Sequence, residues 1–213
     1  MAQILCLANS YKGRGQRCIA GIDMDIKEWV RPIDPRGHEG AIGEARLIDG
    51  AEPRLLDVLE VPLGGESDAH GCQPENRVLL PGWWKKVGMV SPEDALSYVE
   101  DDEFLLHNFD KTVDAEYFKV IPQERWKSLQ LIYSGEVAFC PDRYDGSRWR
   151  VCFSYGGGCY DLKLTDTVVS ERLTGGEKVS GECILTVSLA APWKPDEETP
   201  ERCYKMVAGV IEL

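Results

Sequence analysis

Residues 148–173 read RWRVCFSYGGGCYDLKLTDTVVSERL, and this stretch decides the fold class. Two strand-like runs, residues 148–155 and 159–164, flank three consecutive glycines, a pattern typical of a β-hairpin. Thr165 and Asp166 then begin a helical run that two further glycines end. The stretch therefore predicts two adjacent antiparallel strands followed by a short helix.

Strand-like runs lie on both sides of this stretch. Residues 129–133 and 136–140 precede the hairpin, and residues 182–189 and 203–211 follow the helix. The order of the second half is therefore strand, strand, strand, short helix, strand, strand. A helix between the third and fourth strands is expected of an OB-fold, a five-stranded Greek-key barrel.

The first half begins with a similar meander. Residues 3–8, 17–22 and 27–33 predict three antiparallel strands, and residues 55–63 predict a later one. Pro32 indicates that the third strand ends there or lies at an edge, and loop fills the connection that a helix would occupy. An SH3-like barrel or one continuous β-sandwich also fits this order.

The predicted fold class is mainly β, with two OB-like five-stranded barrels and short helices. We expect the first barrel, with an irregular insertion, in residues 1–115 and the second in residues 116–213. No sequence repeat links the two halves, so the duplication is inferred from the order of elements.

Composition fits a soluble globular protein, with 43% hydrophobic and 28% charged residues. No apolar run approaches the roughly 18 residues of a membrane span. The opening residues, MAQILCLANS, lack a basic segment typical of a signal peptide, so we expect a cytoplasmic protein. The eight cysteines form no C-x-x-C pair, which favours reduced core thiols over a zinc site or disulfides.

The charge balance narrows the class of ligand. The chain has 36 acidic and 24 basic residues, a net charge of −12. A generic binder of duplex DNA needs a basic face to displace counterions, so that class is disfavoured. A local basic groove on an acidic body remains open, and it favours a compact, selective ligand.

The densest basic segment lies between the first two predicted strands. Glycines there let backbone amides approach phosphate oxygens, while three cations form a local positive patch. The alternative is a flexible hairpin whose cations pair with nearby carboxylates. The candidate ligand-binding residues of this loop are Tyr11, Lys12, Arg14 and Arg17.

The third predicted strand, KEWVRPI at residues 27–33, places Trp29 and Arg31 on one face. A tryptophan at the ligand surface of an OB-fold can stack on a base, and an arginine can contact a phosphate or a base edge. The alternative is a core tryptophan beside an arginine with an internal partner. Exposure of the two side chains decides between these hypotheses.

A second candidate segment is HGCQPEN at residues 70–76. Its side chains supply the donors and acceptors that read base edges. The alternative is that they cap backbone groups of a buried loop. The candidate ligand-binding residues of this segment are His70, Gln73, Glu75 and Asn76.

Three other features of the second half favour structural roles. Asp161 and Asp166 could hold Mg²⁺, but capping of the following helix is the simpler explanation. Arg150 is predicted to face solvent. Tyr204 could reach a groove, whereas Lys205 is predicted on an exposed face.

Taken together, ILCLANS, RCIAGID, EWVRPI, LLDVLEVPL, QPEN, YDLKLTD and CYKMVAGVI resemble the bacterial dual OB-containing domain family. The resemblance runs from the first strand to the last and is least characteristic near residues 90–125. It implies two OB-folds and a nucleic-acid or nucleotide-sensing role linked to defence or regulatory systems. It implies no catalytic residues.

The sequence predicts a non-enzymatic binding module for single-stranded nucleic acid or a nucleotide-derived ligand. No nucleophile elbow, Walker A loop, H-E-x-x-H motif or Rossmann fingerprint is present, and we expect no catalytic residue, metal or cofactor. The alternatives are a nucleic-acid or nucleotide-processing enzyme and an acidic protein-interaction scaffold. A protein partner is possible, and no membrane is expected.

Overall fold

The computed structural model describes residues 1–13, 15–36 and 40–213. The chain is mostly β, with 47% strand and 13% helix, and it contains a closed five-stranded barrel and a curled half-barrel sheet. The predicted fold class is thereby confirmed. Two compact units divide the chain, Met1–Ser67 with Glu75–Ser97 and Asp68–Pro74 with Tyr98–Leu213. Compactness differs from independent folding, so domains at 1–115 and 116–213 stay a prediction.

The first unit is built on one sheet, in the order β5-β6-β3-β2-β1-β4-β7. Its short α-helix, α1, is Pro92–Ala95, and Ser91 caps it by accepting the N–H of Asp94. The strands are β1 (Ala2–Gly13), β2 (Gln16–Asp23), β3 (Trp29–Ile33), β4 (Asp57–Val61), β5 (Leu63–Glu66), β6 (Asn76–Leu79) and β7 (Lys85–Met89).

Proline shapes this half-barrel at two places. Pro62 separates β4, which pairs with β1, from β5, which pairs with β6. Pro32 lies in β3 beyond its last pair with β2, where its missing N–H breaks no ladder bond. β3 nevertheless continues to Ile33 and pairs in parallel with β6. Pro32 therefore limits pairing on one side only, and β3 is not an edge strand.

The second unit contains the closed barrel. The predicted strands at 129–133 and 136–140 are one continuous strand. The two α-helices are α2 (Ala115–Val120) and α3 (Thr167–Thr174). The strands are β8 (Thr112–Asp114), β9 (Leu129–Pro141), β10 (Trp149–Tyr155), β11 (Gly158–Leu164), β12 (Gly181–Leu189) and β13 (Arg202–Glu212).

Hydrogen bonds run around the barrel in the order β9-β10-β11-β13-β12 and return to β9. Closure depends on a parallel contact in which Lys163 pairs with Met206 and Leu164 with Val207. Inward side chains such as Val151 fill the interior and are fully buried. This is the predicted OB order, with α3 between the third and fourth strands of the barrel.

The chain turns between β10 and β11 at the glycines from which this hairpin was predicted. Gly156 and Gly157 have φ angles of 56° and 79°, which L-residues with a Cβ seldom adopt. A Cβ on Gly156 would also lie 2.3 Å from the carbonyl oxygen of Glu103. The turn therefore needs glycine for both its conformation and its packing.

Asp166 caps α3 and also joins that helix to β13. One carboxyl oxygen accepts the N–H of Val169 at 3.1 Å, and the other accepts the N–H of Val210 at 3.0 Å. Thr165 instead donates its hydroxyl to the Val207 carbonyl. The capping hypothesis is thus confirmed for Asp166.

Two global expectations concern membranes and cysteines. None of the described helices is long and apolar enough to cross a bilayer. No disulfide joins any of the eight cysteines, all of which lie in the described ranges. Four of them are fully buried, as expected of small hydrophobic side chains.

Candidate functional site

The predicted basic loop lies at the β1–β2 hairpin of the first unit. Tyr11 is 54% exposed, and the Arg17 guanidinium carbon lies 6.0 Å from the centre of its ring. Lys12 is half-buried, and Arg14 lies outside the described residues. Arg17 approaches Glu52 at 4.0 Å, so one predicted cation already has a carboxylate close by.

Trp29 and Arg31, both on β3, differ in their exposure to solvent. Trp29 is partly exposed, but Arg31 is only 7% exposed. The Arg31 Nη2 lies 2.8 Å from the Glu75 Oε1, and the Arg31 backbone N–H donates to the Glu75 carbonyl at 3.0 Å. Asn76, fully buried, is the β6 neighbour of Arg31. These side chains join β3 to the segment beginning β6, and their role as ligand contacts stays a prediction.

The other two residues of the predicted 70–76 site belong to the second unit. Gln73 is buried and donates its amide to the Leu189 carbonyl at 2.9 Å. The His70 Nδ1 lies 3.9 Å from a carboxyl oxygen of Asp68. The residues predicted to contact base edges are therefore divided between two compact units. The Gln73 amide already donates a hydrogen bond to the backbone of β12.

The second unit carries an open pocket of about 450 Å³ on the outer face of its barrel. Strands β10, β11 and β13 form its floor, β8 and the segment just before it form one wall, and the β12–β13 connection contributes Ala190 and Trp193. OB-folds bind ligands on the second and third strands and the flanking loops. β10, β11 and the β12–β13 connection are the corresponding elements here. The lining residues are Lys111, Thr112, Arg150, Asp161, Leu162, Lys163, Ala190, Trp193, Tyr204, Lys205 and Met206.

Strand register places charged side chains side by side in this pocket. Arg150 lies opposite Lys163, and Lys163 lies opposite Met206. The outward positions of β11 are Asp161 and Lys163, since Tyr160 and Leu162 point into the core. The two outward positions of β11 therefore differ in charge, and across the floor Lys163 lies opposite the like-charged Arg150.

Asp161 forms ion pairs with two of the cations, Arg150 and Lys111. It accepts the Arg150 Nε at 2.5 Å and the Lys111 Nζ at 3.2 Å. Burial works against its ionisation, but the bonds from Arg150 and Lys111 prevail and lower the pKa of its carboxyl. Asp142 holds the Arg150 Nη1 at 3.1 Å. The guanidinium is thus fixed at the pocket, while its side chain keeps 18% exposure.

Two aromatic rings form the apolar part of the pocket. Trp193 and Tyr204 pack edge to face, with ring centres 5.8 Å apart and planes at 65°. Backbone hydrogen bonds between Trp193 and Arg202 fix the tryptophan beside β13. Trp193 is 56% exposed and Tyr204 is 37% exposed. An exposed ring so anchored is able to stack against a planar ligand.

Lys205 lies between the outward Tyr204 and Met206 but points inward, and it is 3% exposed. Its Nζ donates to the backbone carbonyl and the side-chain oxygen of Asn108, both at 2.7 Å. Burial lowers the pKa of Lys205 to about 7, although Asp110 works in the opposite direction. The prediction of an exposed Lys205 is wrong, because β13 places this residue on the barrel's inner face.

Sequence reasoning missed this pocket for identifiable reasons. Trp193 lies in a charged, proline-rich segment that looks like a solvated loop, and Arg150 looked solvent-facing. The available signal was the element order, since an aromatic residue between the fourth and fifth strands of an OB-fold lies near its ligand face. Among the described residues, no group of three or more His, Cys, Asp or Glu side chains could hold a metal ion.

Comparison with known families gives a match over nearly the whole chain. A family model described as a dual OB-containing domain matches residues 2–210, nearly the whole chain. Comparison with curated proteins and with solved structures gives no match. The two barrel-like units and the family match therefore agree on the architecture.

Proposed function

The chain belongs to the dual OB-containing domain family, and from that premise we propose that its second unit binds single-stranded nucleic acid or a nucleotide. The observation that carries this proposal is the pocket in which Trp193 and Tyr204 adjoin Lys111, Arg150 and Lys163. A base stacks on the exposed indole, and the cations receive phosphate oxygens.

The chemistry of the pocket fits a ligand with a flat apolar part and an anionic part. Stacking of a base on an aromatic side chain contributes about 1–3 kcal/mol and tolerates any base. Arginine offers a planar fork of donors to phosphate, whereas lysine provides a mobile point charge. Both kinds of cation line one pocket, and this supports nucleotide over a purely apolar ligand.

The pocket also reconciles nucleotide binding with an acidic chain. Net charge is −12, so long-range attraction to a polyanion is unfavourable. At short range, the lining cations Lys111, Arg150 and Lys163 outnumber the single lining carboxylate, Asp161. Recognition then depends on a local site, and non-specific duplex binding is not part of the proposal.

Direct binding measurements test the proposal. Each of the four nucleoside monophosphates and a short fluorescent single strand are titrated at about 50 and about 200 mM salt. We expect Trp193→Ala to weaken binding by about 5- to 150-fold, the equivalent of about 1–3 kcal/mol. Trp83→Ala is the matched control, because Trp83 is 80% exposed in the first unit.

Two results would overturn the proposal. One is that no nucleotide or single strand binds at the lower salt concentration. The other is that Trp29→Ala weakens binding while Trp193→Ala does not, which would place the site among the first-unit residues predicted from sequence. Equal losses with Trp83→Ala and Trp193→Ala would likewise count against a specific stacking role.

A further inference from the structure

The pocket of the second unit has the dimensions of a small-molecule site. Its volume of about 450 Å³ falls at the lower end of the roughly 300–1,000 Å³ typical of small-ligand pockets. OB-folds that bind strands without sequence preference follow about 4–16 nucleotides along an open groove. This pocket has space for one nucleotide but not for a run of several.

Two cations of the pocket meet at one carboxylate, and a third lies at a neighbouring outward position. Arg150 and Lys111 both bind the Asp161 carboxylate, so their charged ends lie on either side of a single group. Lys163 is two residues along β11 from Asp161 and directly opposite Arg150. Three cations against the two carboxylates Asp161 and Asp142 therefore leave a local charge of about +1 at pH 7.

A phosphate monoester suits this charge better than a phosphodiester does. A monoester carries about −1.5 to −2 at pH 7, whereas each phosphodiester of a strand carries a single negative charge. A monoester also has three terminal oxygens that accept hydrogen bonds, enough for each of the cations Lys111, Arg150 and Lys163 to reach one. This group of cations therefore favours a ligand whose phosphate carries a second negative charge.

The segments next to the pocket are acidic. The β12–β13 connection that supplies Trp193 also contains exposed Asp196, Glu197, Glu198 and Glu201, against one lysine. On the other wall, exposed Asp110 precedes Lys111, and exposed Asp114 ends β8. A strand that continued beyond the pocket in either direction would carry its phosphates over these carboxylates. Like charges repel there, which disfavours an internal segment of a long strand.

We propose that the pocket selects a nucleotide bearing a phosphate monoester, either a free mononucleotide or the terminal nucleotide of a strand, over internal strand segments. This inference rests on the proposed function, since it specifies the ligand of the same pocket. In this arrangement Trp193 stacks the base, and Arg150, Lys111 and Lys163 hold the phosphate.

Two ligand series test the inference. The first compares each nucleoside with its 5′- and 3′-monophosphates by isothermal titration. The second compares fluorescent pentanucleotides with and without a terminal phosphate. We expect removal of the monoester to weaken binding at least about 10-fold, because hydrogen bonds to charged groups are the stronger ones. Lengthening the strand beyond its phosphorylated end should not strengthen binding, because the added phosphates approach the acidic segments beside the pocket.

Single-residue variants test which side chains cause the preference for a phosphate monoester. Lys163→Ala should reduce the advantage of the monophosphate over the nucleoside by about 5- to 10-fold, with less than about a twofold change for the nucleoside itself. Lys178→Ala, at an exposed lysine outside the pocket lining, is the matched control and should leave both affinities unchanged. Circular dichroism of each variant confirms that it is folded.

The outcomes separate the inference from the proposed function. If dephosphorylated pentanucleotides bind as tightly as phosphorylated ones and affinity rises with length, the pocket binds strands and the inference fails alone. If neither series binds, both fail. Binding of monophosphates only supports a free nucleotide, and equal binding of phosphorylated strand ends supports terminal recognition; either result upholds the inference.

Discussion

Both units place an arginine near a tryptophan on a strand, and the two arginines have different environments. In the first unit, Arg31 is paired with Glu75, and the two side chains are 8% and 6% exposed. In the second unit, Arg150 binds Asp142 and Asp161 and its side chain remains 18% exposed at an open pocket. The same residue type thus joins two strands in one unit and faces a pocket in the other.

The two arginines differ in burial, although each strand lies between two neighbours in its sheet. β3 lies between β2 and β6, and Arg31 is covered by the segment that begins β6. Arg150 lies on the outer face of β10, between β9 and β11, and its ion pairs with Asp142 and Asp161 leave it partly exposed. A buried ion pair is sensitive to loss of one partner, whereas a partly exposed one contributes little to stability.

The largest expected effect tests this contrast directly. Arg31→Ala leaves Glu75 as a buried carboxylate without this arginine, so we expect the free energy of unfolding to fall by about 3–5 kcal/mol. The measurement is urea unfolding followed by tryptophan fluorescence. Arg150→Ala is the matched variant and should cost less, about 1–2 kcal/mol, because the buried Asp142 keeps the N–H groups of Tyr144 and Asp145 as donors and Asp161 is partly exposed. If the two variants lost equal free energy of unfolding, the proposed difference between the buried and the partly exposed arginine would be wrong.

A medium effect is expected at α3, which lies where the half-barrel has a 3-10 turn, Glu44–Arg46. Asp166→Ala removes acceptors for the N–H groups of Val169 and Val210, and we expect a loss of about 1–3 kcal/mol. Thermal or urea unfolding of the chain measures it. Asp114→Ala is the control, because Asp114 is an exposed cap that accepts the N–H of Glu116 in α2 and should cost about 1 kcal/mol or less. A control loss as large as that of Asp166→Ala would show that the link to β13 adds nothing.

The smallest effect concerns the pH dependence of the second unit. Burial lowers the pKa of Lys205 to about 7 from its ordinary value of 10.5, with Asp110 opposing. Between these values the unfolded chain holds more protons than the folded chain, so the Lys205 contribution to the unfolding free energy rises with pH. Below about pH 7 both states are protonated and the full cost of the buried charge applies.

Lys205→Met should remove that slope, a difference of about 1 kcal/mol between pH 8 and pH 9. Urea unfolding at the two pH values measures it. The Lys178→Met variant makes the same substitution at an exposed position and should keep the slope of the unchanged protein. A slope that persists in Lys205→Met would mean that another group titrates in this window. Asp110, Lys111 and Tyr160 are the neighbouring groups to examine next.

Much of the architecture could be predicted because it depends on local chemistry. The glycines at 156–158 require a tight turn, Asp166 is a strong N-cap, and alternating residues mark strands. One strand was predicted as two, because Ser134 and Gly135 look like a break. In the structure, pairing with β12 and β10 carries β9 through this point.

The site was harder to predict because burial depends on partners that are distant in sequence. Arg31 and Glu75 are 44 positions apart, and their pairing arises from the parallel contact of β3 with β6. Trp193 and Lys111 line one pocket only because β13 pairs with β8 at one end and β11 pairs with β13 further along. No local pattern encodes such register.

The sequence by itself therefore determined the strand order, the hairpin turn, the cap of α3 and the family resemblance, because each depends on neighbouring residues or on a linear set of motifs. Only the tertiary structure decided that the second barrel closes while the first curls, that Arg31 is buried, and that Lys205 points inward. Those outcomes depend on which strands pair and in what register, and a shift of one residue reverses the face of every side chain.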